Sequence, residues 1–289
     1  MDGACGDGGF VVEGRGEQNM KAIVGNHEFS YKSGDEYFFA LSDYPFISTW
    51  ELKKLVSMAE YEKAHRRELQ IVCENERMQR EIFQALAKPE TVKNVAVPEK
   101  ITECTACYQK GCLTKYVCHA TSVENARSIF ASGKILSAIG AKGKTGEELA
   151  KDPSNAAGDP PDFFGNIMFA WGNCQAGDRL VTERMLNRFP TEQDLSIDFH
   201  PGIRFYFVHD DIVRHPNYLF DGFDPAKIKD EIVLSHYLYA CIIPKEYEQS
   251  FRKIIPDCLS DRIHYLENDC KDIWEGAEKV YNFVVSLHG

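Results

Sequence analysis

The stretch Tyr116-Val-Cys-His119-Ala120-Thr121-Ser-Val-Glu-Asn-Ala-Arg-Ser-Ile-Phe-Ala-Ser-Gly133-Lys-Ile135 changes character in mid-course. Lys115–Cys118 reads as a strand, and Val123–Ser132 reads as a helix. Gly133 follows that helix at the place where a left-handed residue ends one. The strand therefore feeds the helix at once. His119 and Thr121, two residues apart on the strand edge, point the same way. Together they can hydrogen-bond the hydroxyls and amide of a bound polar ligand. The competing reading is a helix cap by Thr121 or Ser122 beside a purely structural His119.

Further along, Ala141–Asp162 holds Gly, Pro, Lys and Asp without apolar periodicity and predicts a long loop, a feature more often functional than accidental in a compact domain. It delivers Phe163-Phe164-Gly165-Asn166-Ile-Met168-Phe169-Ala-Trp171, a glycine-led aromatic segment with a strand over Ile167–Trp171. Aromatic faces stack on flat heterocycles, and they also fill buried strands. A helix is expected at Arg179–Asn187, a strand at Arg204–His209 and a second loop over Arg214–Lys229. Asp230-Glu231-Ile-Val-Leu234 then sets a carboxylate at the start of an apolar strand. Such a group can bond a sugar hydroxyl and stabilise positive charge developing at an anomeric carbon, or it can guard a sheet edge against pairing. A further strand at Tyr239–Ile243 and helices over Lys245–Ile254 and Lys271–Leu287 complete an α+β pattern.

On the other side, residues 1–19 are Gly-rich and predict a disordered lead. Lys21–Val24 and Tyr37–Leu41 are β-prone and separated by turn residues. Ser48 stands three residues before Glu51, a capping-box pattern. Apolar residues from Leu52 to Leu86 then predict a long helix over 48–88, continuous or broken near His65, with Pro89 limiting its end. Its charged faces suit a surface element, docked on the domain or offered to a partner. Glu90–Lys100 carries two prolines and reads as a linker, which divides the chain into a lead at 1–19, an N-terminal helical extension at 20–98 and a larger domain at 99–289.

Composition narrows the function. Asp and Glu number 44 against 33 Lys and Arg, a formal charge of −11. That disfavours binding driven by phosphate neutralisation, so a protein partner is preferred to nucleic acid. No stretch reaches the ~20 apolar residues that span a bilayer, and the N-terminus lacks the basic and apolar regions of a signal peptide. A cytoplasmic protein is expected, or one delivered into a host cytosol, and its ten cysteines are expected to be reduced thiols. Cys104, Cys107, Cys112 and Cys118 include one CxxC pair but no matched second pair, so zinc is open and free thiols are the default. The histidines show no metal-ligand spacing, and no phosphate-binding loop or serine nucleophile elbow occurs.

The three segments in this order resemble the ADP-ribosyltransferase superfamily, in its H-Y-E branch (poly(ADP-ribose) polymerase-like or diphtheria-toxin-like), over roughly residues 115–245. His119-Ala-Thr121 is similar to the H-G-S/T strand, Gly165-Asn-Ile-Met-Phe-Ala170 to the G-x-G-I-Y-F-A strand, and Asp230-Glu231-Ile-Val to N-E-Y-I-V. The resemblance implies a split antiparallel sheet core with helices and NAD as donor substrate. It also implies a catalytic Glu231 and His119, with NAD held by His119, Ala120, Thr121, Gly165, Asn166, Met168, Phe169 and Trp171. Two positions depart from the pattern: Ala120 replaces glycine, and Met168 replaces the stacking tyrosine. The implied activity is that of a glycosyltransferase, a mono-ADP-ribosyltransferase. The rivals are an NAD glycohydrolase, an RNA 2′-phosphotransferase on the same fold, and a catalytically silent binding module.

Overall fold

The computed structural model describes residues 20–28, 30–101, 112–155, 158–196 and 199–287; the expected disordered lead, Cys104 and Cys107 lie outside them. The N-terminal unit contains β1 (Met20–Gly25), β2 (Tyr31–Ser33), β3 (Glu36–Ala40), α1 (Thr49–Ala64), β4 (Leu69–Cys73) and α2 (Glu76–Ala87), with a short α3 at Glu90–Lys93. Its sheet runs β2-β3-β1-β4, with β1 parallel to both neighbours. Met20, Ala22 and Val24 alternate inward on β1 and meet Tyr37, Phe39, Leu55, Met58, Met78 and Ile82 in one core.

Of the two readings of 48–88, the structure takes the one broken near His65, and it places a strand, which was not expected, in the break. The capping box forms as expected, with Glu51 N–H donating to Ser48 Oγ at 3.2 Å and Ser48 N–H to Glu51 Oε2 at 2.6 Å. The helix stops after Ala64, and Arg66 takes a left-handed φ of 60° that turns the chain. Leu69, Ile71 and Cys73 then enter the core at period two. Asn75 caps the second helix through Arg77 and Met78 N–H. Phe83, expected on its apolar stripe, is half exposed, while Met78, Ile82 and Ala85 are buried. The extension is therefore a mixed α/β unit rather than a purely helical one.

Paired strands β5 (Lys100–Ile101) and β6 (Cys112–Leu113) precede the larger unit. Its first half holds β7 (Tyr116–Thr121), α4 (Val123–Ser132), β8 (Lys134–Leu136), α5 (Ala138–Lys142), α6 (Gly146–Ala150), β9 (Asn166–Trp171) and α7 (Ala176–Leu186). The second half holds β10 (Ile203–Val208), α8 (His209–Val213), β11 (Tyr218–Leu219), β12 (Ala226–Lys229), β13 (Glu231–Val233), α9 (Leu234–Tyr237), β14 (Leu238–Pro244), α10 (Glu248–Phe251), β15 (Ile263–Leu266) and α11 (Ile273–Ser286). Seven strands form one sheet in the order β11-β12-β9-β7-β10-β14-β15, antiparallel except for the β14–β15 pair, and β8 and β13 form a separate ribbon.

Central β10 is covered on both faces. Ile203, Phe205 and Phe207 join Ile129 and Phe130 of α4 in one core, whereas Tyr206 joins Tyr116, Tyr281 and Val284 beneath α11. Burial on both faces explains its near-continuous apolar run. The loop expected at 141–162 carries α6 because Thr145 and Glu148 make a second capping box. The loop expected at 214–229 is corrected to two short strands, β11 and β12. The architecture is thus α+β, with mixed sheets. Among the described residues, no helix is long and apolar enough to cross a membrane.

The two units exchange side chains. Trp50 of α1 joins the larger core and stacks on Phe220 at 5.4 Å, while Phe223 packs into the N-terminal core. Gly222, at φ +76°, lets α1 approach this closely, since a Cβ there would lie 2.0 Å from Lys54 O. Asp162 accepts from Tyr61 Oη at 2.5 Å and from Arg67 Nη1 at 2.7 Å, which anchors the segment ahead of Gly165 to the N-terminal unit.

Candidate functional site

The three segments singled out above converge at one end of neighbouring strands. β7 pairs with β9 through Cys118 and Ala170. One residue further on, His119 Nδ1 lies 3.1 Å from Met168 O. A carbonyl can only accept, so Nδ1 carries the proton and Nε2 of the neutral ring is left as an acceptor. Burial holds this imidazole below its usual value, the bond to Met168 works against that, and Arg184 of α7 adds to it. The ring is therefore neutral at neutral pH. Thr121 sits on the same face of β7 and is buried. Ser122, not Thr121, caps α4 by accepting from Asn125 N–H at 3.3 Å. Gly133 ends α4 in left-handed backbone at φ 68°, as its place in the sequence predicts.

Along β9 the side chains alternate. Ile167, Phe169 and Trp171 turn inward, while Asn166, Met168 and Ala170 are half-buried. Phe169, 1% exposed, meets Phe207 edge-on at 5.3 Å; Trp171, 4% exposed, lies against His209 at 5.0 Å. Both rings, expected to bind the donor, are core residues in this structure. Phe163 and Phe164 are buried as well. These four rings pack within the core, and Met168 is what the strand presents beside His119. Asn166 donates from Nδ2 to Asp162 O at 3.1 Å. A Cβ on Gly165 would meet Ile139 Cδ1 at an ordinary 3.8 Å, so packing within the chain does not require glycine there.

Glu231 reaches the site through a change of sheet. β12 pairs with β9 up to Lys229 opposite Asn166, and Asp230 N–H donates to Gly165 O at 3.0 Å. Asp230 then takes a φ of 67°, rare for a residue with a side chain, and the chain crosses into the β8–β13 ribbon. Ser137 N–H to Asp230 O, at 2.7 Å, and Leu234 N–H to Gly133 O, at 3.0 Å, fix both ends of β13. The Glu231 carboxylate accepts from Lys134 Nζ through both oxygens, at 2.8 and 3.0 Å. The two side chains are 43% and 40% exposed.

Lys134 escaped the sequence reading although it lies within the segment first quoted. Only the antiparallel register of two distant strands brings it to Glu231. Arg184 was missed for a similar reason, since its approach to His119 depends on how α7 packs. Of the cysteines weighed for zinc, Cys118 is buried beside Arg204, and burial pushes its thiol up to about 12. A cavity of about 30 Å³ lies against α11, lined by Asp178, Arg204 and Val280, and none of the candidate residues lines it. Comparison of the chain with protein-family models, with curated proteins and with solved structures finds no match.

Proposed function

We propose that this chain is a mono-ADP-ribosyltransferase that takes NAD as donor, with an ADP-ribosyltransferase-like core in residues 99–289. The observation that carries the reading is the meeting of its three segments: His119 bonds the Met168 carbonyl, and Asp230 bonds the Gly165 carbonyl. Segments 49 and 65 residues apart in the sequence, with no shared periodicity, meet at one strand end, as a common site would require. A main sheet antiparallel in all but its β14–β15 pair, with a separate β8–β13 ribbon, is compatible with the split core that the resemblance implies.

In this reading a ribose hydroxyl of NAD donates to Nε2 of neutral His119. Thr121 and the Ala120 backbone lie beside the nicotinamide ribose and amide, and Met168 supplies the polarisable contact to the ring that an aromatic makes elsewhere. Glu231 accepts from a hydroxyl of the nicotinamide-side ribose. The bond between the nicotinamide nitrogen and the anomeric carbon breaks, and its electron pair leaves with nicotinamide. The Glu231 charge stabilises the cationic sugar. An acceptor nucleophile then bonds the anomeric carbon and gives up its proton to solvent.

The test is release of nicotinamide from labelled NAD by the purified full chain with heat-treated lysate, followed by the fate of the label. Label on protein supports transfer, free ADP-ribose supports the glycohydrolase, and a chain that binds NAD without turnover is the silent module. Glu231→Gln keeps the shape and removes the charge, so turnover should fall on the order of 10²–10³-fold with NAD affinity largely kept. Unchanged turnover would show that Glu231 is misassigned.

A further inference from the structure

We infer that Lys134 is the positioning residue for Glu231, an inference that rests on the transferase reading above. In the β8–β13 ribbon Glu231 lies opposite Leu136 and Val233 opposite Lys134. Residues two apart on a strand share a face, so Lys134 and Glu231 form a diagonal pair on one face, within reach for long side chains. Their backbones are held independently of that pair. Gly133 O accepts from Leu234 N–H just before Lys134, and Asp230 O accepts from Ser137 N–H just before Glu231.

The backbone thus fixes where the glutamate starts but not where its carboxylate ends. Glu231 has three rotatable side-chain bonds and is half exposed, so an unpartnered carboxylate would sample several rotamers. The Lys134 ammonium spans both oxygens and selects one arrangement. Among the described residues no other cation pairs with Glu231, and Lys134 makes no second ion pair. Each carboxylate oxygen keeps a free lone pair when bonded once, so the arriving ribose hydroxyl can donate to Glu231 without displacing Lys134. An exposed pair of this kind contributes little to folding, which leaves orientation as what the contact supplies. Glu231 touches the reacting sugar, and Lys134 acts through it.

The experiment measures nicotinamide release and thermal unfolding for the full chain and for Lys134→Met, Lys134→Arg, Glu231→Gln and the Lys134→Met/Glu231→Gln double variant. Misplacing a catalytic group by about 1 Å costs up to ~10²-fold, so Lys134→Met should lose about 10- to 100-fold in kcat with KM for NAD nearly unchanged. Lys134→Arg should recover most of the rate, because a guanidinium spans a carboxylate in the same way. In the Glu231→Gln background, Lys134→Met should cost nothing further. Full kcat in Lys134→Met overturns the inference. So does an equal loss with and without Glu231, or a loss that follows the melting temperature and is not recovered by arginine. A wild-type chain that releases no nicotinamide overturns the transferase reading itself and Lys134 with it, a result distinct from an active chain indifferent to Lys134.

Discussion

Two lysine–carboxylate pairs stand a few residues apart around β12 and β13, and they differ in almost everything except chemistry. Lys227 of β12 is wholly buried and lies 3.3 Å from the centre of the Phe163 ring. It pairs with buried Asp221, while Asp224 is 3.4 Å away. Burial opposes its charge, but Asp221 and then Asp224 outweigh that and lift the ammonium above its ordinary value. Asp221 is itself committed, since its Oδ1 accepts from Phe223 and Asp224 N–H. The Lys134–Glu231 pair sits at an exposed ribbon edge with solvent on both partners. A buried pair is costly to break because the remaining charge is stranded; an exposed pair can be remade at every encounter. The first is suited to holding the two units together, and the second, in the proposed reading, to adjusting around a bound substrate.

The largest effect should come from the buried pair. Lys227→Ala leaves Asp221 without its cation in a site closed to water, where loss of one partner costs about 3–5 kcal/mol. The same change strips the ammonium from the face of Phe163, which also packs against Tyr61 of the N-terminal unit at 5.9 Å. Urea unfolding should therefore show a much lower midpoint. A midpoint within experimental error of wild type would mean that Asp221 finds other compensation, and the contrast between the two pairs would fail.

Lys227 also explains part of what could be read in the sequence. Ala226-Lys-Ile-Lys229 reads as loop because a lysine in the interior of a strand breaks the apolar signal. Its burial depends on Asp221 in the preceding turn, a partner that no strand or helix periodicity points to. The 60–88 stretch failed differently. Leu69 and Val72 fit helical spacing, but Leu69, Ile71 and Cys73 fit a strand equally well, and pairing with β1 decided between them. By contrast, Ser48, Gly133 and the Val123–Ser132 helix were legible because capping is local chemistry. At the candidate site, His119 and Glu231 stand out in the sequence as residues within motifs. Their partners, the Met168 carbonyl and Lys134, were not, because each contact depends on strand register.

Asp224 offers a smaller, pH-dependent test of the buried cluster. Burial pushes its carboxyl up to about 7, Lys227 pulls the other way, and Asp221 and Asp159 add to the rise. A group raised in the folded state contributes stability that is fully present below its unfolded value of 3.8 and lost as pH rises through about 7. Asp224→Asn removes that loss. The variant should match wild type near pH 4 and be more stable near pH 8 by a few kcal/mol, since the pull of Lys227 is already part of that net rise and a tenfold change in proton affinity corresponds to ~1.4 kcal/mol. Melting curves across that range decide it. Lower stability of the variant than of wild type near pH 8 would reverse the sign and show that ionised Asp224 supports the fold.

The smallest effect on folding belongs to the exposed pair. Lys134→Met removes an ion pair that solvent already screens, and such pairs contribute about 0–1 kcal/mol. The two strands remain joined through Gly133, Ser137, Asp230 and Leu234, whose bonds run through the backbone. Unfolding of Lys134→Met should therefore be nearly that of wild type, and what little difference exists should shrink as salt rises, because exposed charges are screened within ~10 Å at 0.1 M. Lys227→Ala should keep its deficit in salt, since its charges are shielded from ions by the packed interface. The same chemical group would then be indispensable to folding in one place and nearly silent in the other, with burial as the main difference. If Lys134→Met instead unfolds as easily as Lys227→Ala, the ribbon depends on the ion pair for its form. Loss of turnover in that variant would then report a damaged fold rather than a misdirected glutamate.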